Sequence, residues 1–225
     1  MSENYYTNLL YPVQDKALRL MEGANQSFYL TGGTALSRHY FHHRYSDDLD
    51  FFVNGSASFK REVAEMVRLF QKNFSSVEVG VSDENFLRLF IKGQSVELKI
   101  EFINDVPFYV GEKEKTTLFH QTDNWKNILA NKLSALSRNE PKDIADLLFI
   151  CMTFSFNWME VIDLAKKKDI WVNEIEISKI IHEFDIARLE KIKWVQSPDY
   201  KMLNVLAATL SKHILEGKDN LPVLK

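Results

Sequence analysis

Leu30-Thr31-Gly32-Gly33-Thr34-Ala35-Leu36, followed by Ser46-Asp47-Asp48-Leu49-Asp50-Phe51-Phe52, is the stretch on which the reading of this chain turns. Phe28 to Thr31 reads as a short strand and Ala35 to Phe41 as a helix, which puts the glycine pair at a strand-to-helix turn. Backbone N–H groups at such a helix start can meet phosphate oxygens, and Thr34 adds a hydroxyl donor. Asp48 to Val53 reads as the next strand. Alternate residues of a strand share a face, so Asp48 and Asp50 point together while Leu49, Phe51 and Val53 point the other way. Aspartate is depleted in strands, and two neighbouring carboxylates raise each other's pKa unless a cation separates them. Magnesium, with manganese as the substitute, is a cation that takes hard oxygen ligands together with triphosphate oxygens. A plain turn beside an exposed acidic strand edge is the bland alternative, and either feature alone would fit it. Together they favour a metal held next to phosphate.

Working outward, Val77 to Val81, Phe86 to Lys92 and Val96 to Ile103 read as strands. The last alternates cleanly, with Val96, Leu98, Ile100 and Phe102 on one side and Glu97, Lys99 and Glu101 on the other. Glu101 is the candidate third carboxylate, although an ion pair with Lys99 on the same face would also account for it. Three carboxylates on neighbouring strands would hold two metals, one on the triphosphate and one lowering the pKa of an acceptor hydroxyl. Pro12 to Ala24 and Ser58 to Phe74 carry helical apolar stripes, and Asn54-Gly55 is a turn pair.

Beyond that point the pattern changes to helix after helix. Asp123 is placed to cap a helix reaching Arg138, and Pro141 opens another running to Met152. Further helices are expected near 157–168, 174–184 and 199–216, the last stopped by Gly217. The expectation is therefore an α/β core over residues 1–118 and a helical domain over 119–225, packed on that core.

Composition limits the function classes. Lys+Arg number 28 against 31 Asp+Glu, for a net charge of −3, so the chain lacks the basic excess of a general nucleic-acid binder. Contact with RNA would need a local patch, for which Lys126, Lys132, Arg138, Lys142 and Lys166-Lys167-Lys168 are candidates, although such runs are commonly solvated surface. The single cysteine, Cys151, lies in an apolar run and reads as core. With no disulfide to form, no signal-like leader and no apolar run near the roughly 18 residues of a membrane span, a soluble cytoplasmic protein without membrane contact is expected. His39 and His43 could share a helical face, but nothing nearby completes a zinc site.

The glycine turn, helix, Asp-x-Asp strand and later strand carboxylate resemble the DNA polymerase β-like nucleotidyltransferase superfamily. Gly32-Gly33-Thr34-Ala35-Leu36-Ser37-Arg38-His39-Tyr40 with Arg44-Tyr45-Ser46-Asp47-Asp48-Leu49-Asp50-Phe51 is similar to the AbiEii/AbiGii toxin family of nucleotidyltransferases. Lys99-Ile100-Glu101, the run Asn131 to Arg138 and the run Pro141 to Leu147 resemble later motifs of that family. The resemblance covers about residues 28 to 150. It implies an α+β fold, with a polymerase β-like core of a short mixed sheet flanked by helices, then a C-terminal helical bundle. It also implies transfer of a nucleoside monophosphate from a triphosphate to a hydroxyl acceptor, RNA or tRNA 3′ ends among the candidates, by the toxin of a toxin–antitoxin or phage-defence pair. An antitoxin protein is the implied partner. Asp48, Asp50 and Glu101 would be the metal ligands and Lys132 would face the triphosphate. Gly32, Gly33, Thr34, Ser46, Lys99, Asp143 and Asp146 would bind or orient the nucleotide. A small-molecule acceptor, or a nucleotide-binding module without turnover, are the other readings. Two departures from the pattern stand out: Gly-Gly-Thr replaces the commoner Gly-Ser, and Glu101 stands where an aspartate is more frequent.

Overall fold

Aromatic and β-branched runs form the five strands of one mixed sheet. The computed structural model describes residues 3–24, 26–93 and 95–220, and the chain divides into two compact units, Met1–Asn124 and Trp125–Lys225. The fold class is α+β, as the sequence implies.

In the first unit the strands are β1 (Tyr29–Thr31), β2 (Leu49–Asn54), β3 (Val77–Ser82), β4 (Phe86–Lys92) and β5 (Glu97–Asp105), in the order β1-β2-β5-β4-β3. β2 and β5 run parallel, and every other neighbouring pair is antiparallel. A parallel pair needs a crossover, here supplied by α4 (Phe59–Asn73) and the β3–β4 hairpin. The helices α1 (Glu3–Tyr5), α2 (Tyr11–Glu22) and α3 (Gly32–Ala35) complete the unit. Tyr6–Leu10 and Leu36–Tyr40 are π-helical turns, the second continuing α3. The helix expected from Ala35 thus starts earlier, at Gly32, and its second half is widened. The strand expected from Asp48 starts one residue later, so Asp48 is the last residue before β2.

The sheet buries one face, as the alternation requires. Phe102 of β5 is fully buried, with ring centroids 4.9 Å from Phe28 and 5.5 Å from Phe51. Phe70 of α4 closes the cluster at 6.5 Å from Phe102. Buried aromatic clusters of this kind supply a large share of a small domain's hydrophobic stabilisation. Residues 119–124 belong to this unit: Thr122 bridges Leu30, and the Asp123 N–H donates to the Leu30 carbonyl at 2.8 Å.

The second unit contains α5 (Trp125–Ala135), α6 (Pro141–Thr153), α7 (Trp158–Lys166), α8 (Glu174–Glu183) and α9 (Tyr200–Leu215). A 3₁₀ turn, Leu136–Arg138, extends α5 and ends on left-handed Asn139 at φ 53°. Gly217, at φ 61°, follows the end of α9 as its sequence position suggests. A short ladder of β6 (Phe156–Asn157) with β7 (Asp219–Asn220) is an addition to the expected helical bundle. Cys151 is buried, and burial pushes its thiol pKa up, in keeping with a core residue. Among the described residues no helix is long and apolar enough to cross a membrane.

Candidate active site

The glycine turn is shaped by what lies against it. Thr31 is extended and Gly32 is left-handed at φ 68°, a region that L side chains with a Cβ rarely adopt. A Cβ on Gly32 would stand 2.5 Å from Asp50 Oδ2, and one on Gly33 would stand 2.5 Å from Arg44 Nη2 and 3.3 Å from Ser46 Oγ. Both glycines are therefore needed for close approach, one to a carboxylate and one to a buried guanidinium. Thr34 Oγ1 donates to Ser46 Oγ at 2.9 Å and to the Asp48 carbonyl. Gln14, fully buried, donates to the Ser46 carbonyl at 3.1 Å. Thr34 and Ser46 thus tie the turn to Asp48, the residue just before β2.

A second brace lies on the other edge of β1. Asp123 is fully buried, and its carboxylate accepts from Thr31 Oγ1 at 2.5 Å and from the Tyr109 hydroxyl at 2.9 Å. The Tyr40 hydroxyl, at the end of the π-turn, donates to the Asp123 carbonyl at 3.0 Å. Asp123 thereby holds the residue before the turn and the last residue of the π-turn. The sequence suggests only a helix cap for Asp123; its contacts with Thr31 and Tyr40 come from the tertiary fold.

The carboxylates gather around Lys99. Asp50 is the register partner of Thr31 on one side and Glu101 on the other. Lys99 Nζ lies 3.0 Å from Asp48 Oδ2 and 3.3 Å from Glu101 Oε1. Arg88, paired with Glu101 across β4 and β5, donates through Nε at 2.6 Å and places Nη2 at 2.5 Å from the same Oε1. Burial works to lower the Lys99 pKa, but Asp48, Glu101 and Asp50 outweigh it and hold the ammonium above its ordinary value. Burial likewise works to raise Glu101, and Lys99 and Arg88 override it to keep the carboxyl below the usual range. The sequence pattern alone does not single out Arg88. The alternation in Phe86–Lys92 puts it on the polar face, but only the strand register reveals its partner.

The fit to a divalent cation can be judged from these contacts. The donors are hard carboxylate oxygens, and Asp48 and Glu101 already converge on one positive charge. No three His, Cys, Asp or Glu side chains among the described residues, Asp48, Asp50 and Glu101 included, are arranged as a ready metal-holding group. The oxygens are of a kind that suits such an ion, and the Lys99 ammonium lies between them.

In the second unit Lys132 is buried, with Nζ 2.8 Å from Asp143 Oδ1 and 2.6 Å from Asp146 Oδ2. Arg138 joins from the surface, 2.8 Å from Asp143 Oδ2. The structure thus brings Lys132, Asp143 and Asp146 into one cluster across α5 and α6. The candidate RNA-contacting cations are largely compensated: Lys126 lies 2.9 Å from Glu160 and Lys166 lies 3.4 Å from Glu174. His39 lies 3.8 Å from Glu114.

The overall fold is shared with two solved structures. The crystal structure of a candidate nucleotidyltransferase from H. pylori matches with a TM-score of 0.64 at 17% identity, covering 96% of both chains. That of JHP933 from Helicobacter pylori matches at 0.56 and 16% identity, covering 96% of this chain and 94% of that one. At such identities these likenesses establish the fold. The family is set by sequence: residues 19–208 match the family described as nucleotidyl transferase AbiEii toxin of type IV toxin–antitoxin systems, and the chain belongs to that family. No curated protein matches it.

Proposed function

We propose that the chain transfers a nucleoside monophosphate from a nucleoside triphosphate to a hydroxyl of RNA, tRNA 3′ ends included, as the toxin of a toxin–antitoxin pair in the cytoplasm. The observation that carries the reading is the convergence of Asp48 and Glu101 on one cation, with Asp50 against the left-handed Gly32. In the reaction the acceptor oxygen bonds to the α-phosphorus, the bond from that phosphorus to the bridging oxygen breaks, pyrophosphate leaves, and the hydroxyl proton passes to solvent. Asp48, Asp50 and Glu101 would hold magnesium or manganese, which when bound supplies charge neutralisation and an activated acceptor hydroxyl. Gly32, Gly33 and Thr34 orient the triphosphate through backbone N–H groups, with Ser46 fixing Thr34. Glu101, kept ionised by Lys99 and Arg88, is a poor proton acceptor and acts here as a ligand rather than a general base. Lys132, with Asp143 and Asp146, is assigned to the triphosphate by family resemblance. RNA as acceptor and an antitoxin as partner rest on membership of a toxin family; the paired lysines of the second unit give RNA no separate support.

The test is incubation with each α-labelled triphosphate, magnesium and total RNA, comparing wild type with Asp48→Ala. Label should enter RNA with the wild type and fall by several powers of ten with the variant. Label transferred to a small metabolite would move the acceptor to that class, and equal labelling by Asp48→Ala would overturn the mechanism.

A further inference from the structure

Lys99 holds the oxygens that a divalent cation would need, and we propose that its ammonium is a tethered counter-ion that must leave Asp48 before a metal enters. The inference rests on the carboxylate reading given above. An ammonium at 3.0 Å from Asp48 Oδ2 and 3.3 Å from Glu101 Oε1 fills the space between those oxygens that a magnesium bound to both, with ligands at about 2.0–2.1 Å, would need.

The cluster is built so that this departure is selective. Arg88 grips Glu101 independently, at 2.5 and 2.6 Å, so Glu101 stays neutralised when Lys99 moves. Asp48 is the carboxylate that loses this ion pair, and Asp50, two residues on, has its Oδ2 against Gly32 of the glycine turn. The Lys99 side chain is 27% exposed, and its flexible four-carbon stem leaves a backbone held in register with Phe90 of β4. A freed ammonium next to the turn would meet triphosphate oxygens. Metal entry and triphosphate binding are thereby coupled: nucleotide gives Lys99 a new anionic partner, and metal replaces it on the old one. In the protein without nucleotide, Lys99 disfavours metal and holds the carboxylates together.

The consequence has opposite signs for the two ligands, which a merely structural lysine would not produce. Lys99→Met keeps the stem and removes the charge. It should bind manganese without nucleotide roughly thirtyfold more tightly, the scale of repulsion between a single and a double charge across about 4 Å in water. The same variant should bind the nucleoside triphosphate, measured with metal present, more weakly than wild type. Free manganese is read by electron paramagnetic resonance, triphosphate by calorimetry and folding by circular dichroism, with Lys99→Gln read identically should Lys99→Met not fold. Manganese affinity that is unchanged or lower in Lys99→Met, while Asp48→Ala abolishes manganese binding, would overturn the tethered counter-ion and leave the proposed function standing. Manganese binding that survives Asp48→Ala unchanged would remove the metal assignment and this inference with it.

Discussion

Replacing Lys132 by Met tests the energetics of the buried cluster in the helical unit. Asp143 and Asp146 have side chains 1% and 0% exposed, and Lys132 lies 2.8 and 2.6 Å from them. Removing one partner of a buried ion pair costs about 3–5 kcal/mol, because a charge is left in a poorly solvated place. Arg138, 59% exposed, still meets Asp143 after the substitution. That favours the lower end, about 3 kcal/mol. With a urea dependence of about 1–3 kcal/mol/M, the midpoint should fall by about 1–3 M. The chain's four tryptophans, Trp125, Trp158, Trp171 and Trp194, all lie in the second unit, so tryptophan fluorescence follows that unit alone. Adding Asp146→Asn should recover part of the loss, since the two substitutions share an interaction. A midpoint within about 0.3 M of wild type, roughly the error of such measurements, would refute the reasoning.

Other predictions follow from single contacts. Gly33→Val places a Cβ against Arg44 Nη2 and Ser46 Oγ at the phosphate turn; triphosphate affinity should fall at least about tenfold with the far-ultraviolet circular dichroism unchanged. Phe102→Ala empties the centre of the aromatic cluster and should cost about 3–5 kcal/mol in calorimetric unfolding of the first unit. Glu62 is pushed up by burial, but hydrogen bonds from Ser27 and Ser58 outweigh this and hold its pKa below 4.5. A lowered folded-state pKa contributes stability that is present above the unfolded value and lost as pH falls through the folded one. Glu62→Gln should therefore flatten the loss of thermal stability below about pH 4.5. An equally steep loss in the variant would refute this.

Much of the first unit was legible because its period is clean. The alternation of Val96 to Ile103 located β5 and put Lys99 and Glu101 on one face, where the structure finds them in contact. The Asp-x-Asp strand was found for the same reason, displaced by one residue because Asp48 ends a loop. What escaped depends on register rather than period. Nothing local indicates that Arg88 lies opposite Glu101, or that Asp123 reaches Thr31 from far along the chain. The π-turn of Leu36–Tyr40 was equally hidden, since its apolar spacing passes for an α-helix. In the second unit the helices were legible from their caps and stripes. The β6–β7 ladder is too short to leave a pattern, and Lys132 gives no sign in its sequence of being buried rather than solvated.

Bracing by Asp123 also sets an order of assembly during synthesis. Domains form as the chain emerges, N-terminal parts first, and non-local pairings wait for their later partner. β2 can meet β5 once Glu101 has been made, bringing Asp50 and Glu101 together. The turn acquires its second brace only when Asp123, 92 residues after Thr31, is available. A nascent or truncated chain ending before that point would carry every motif of the glycine turn and acidic strand while lacking the second brace on Thr31 and Tyr40. For a toxin, potency would then arrive late on the ribosome, withheld by topology until the α/β unit is finished.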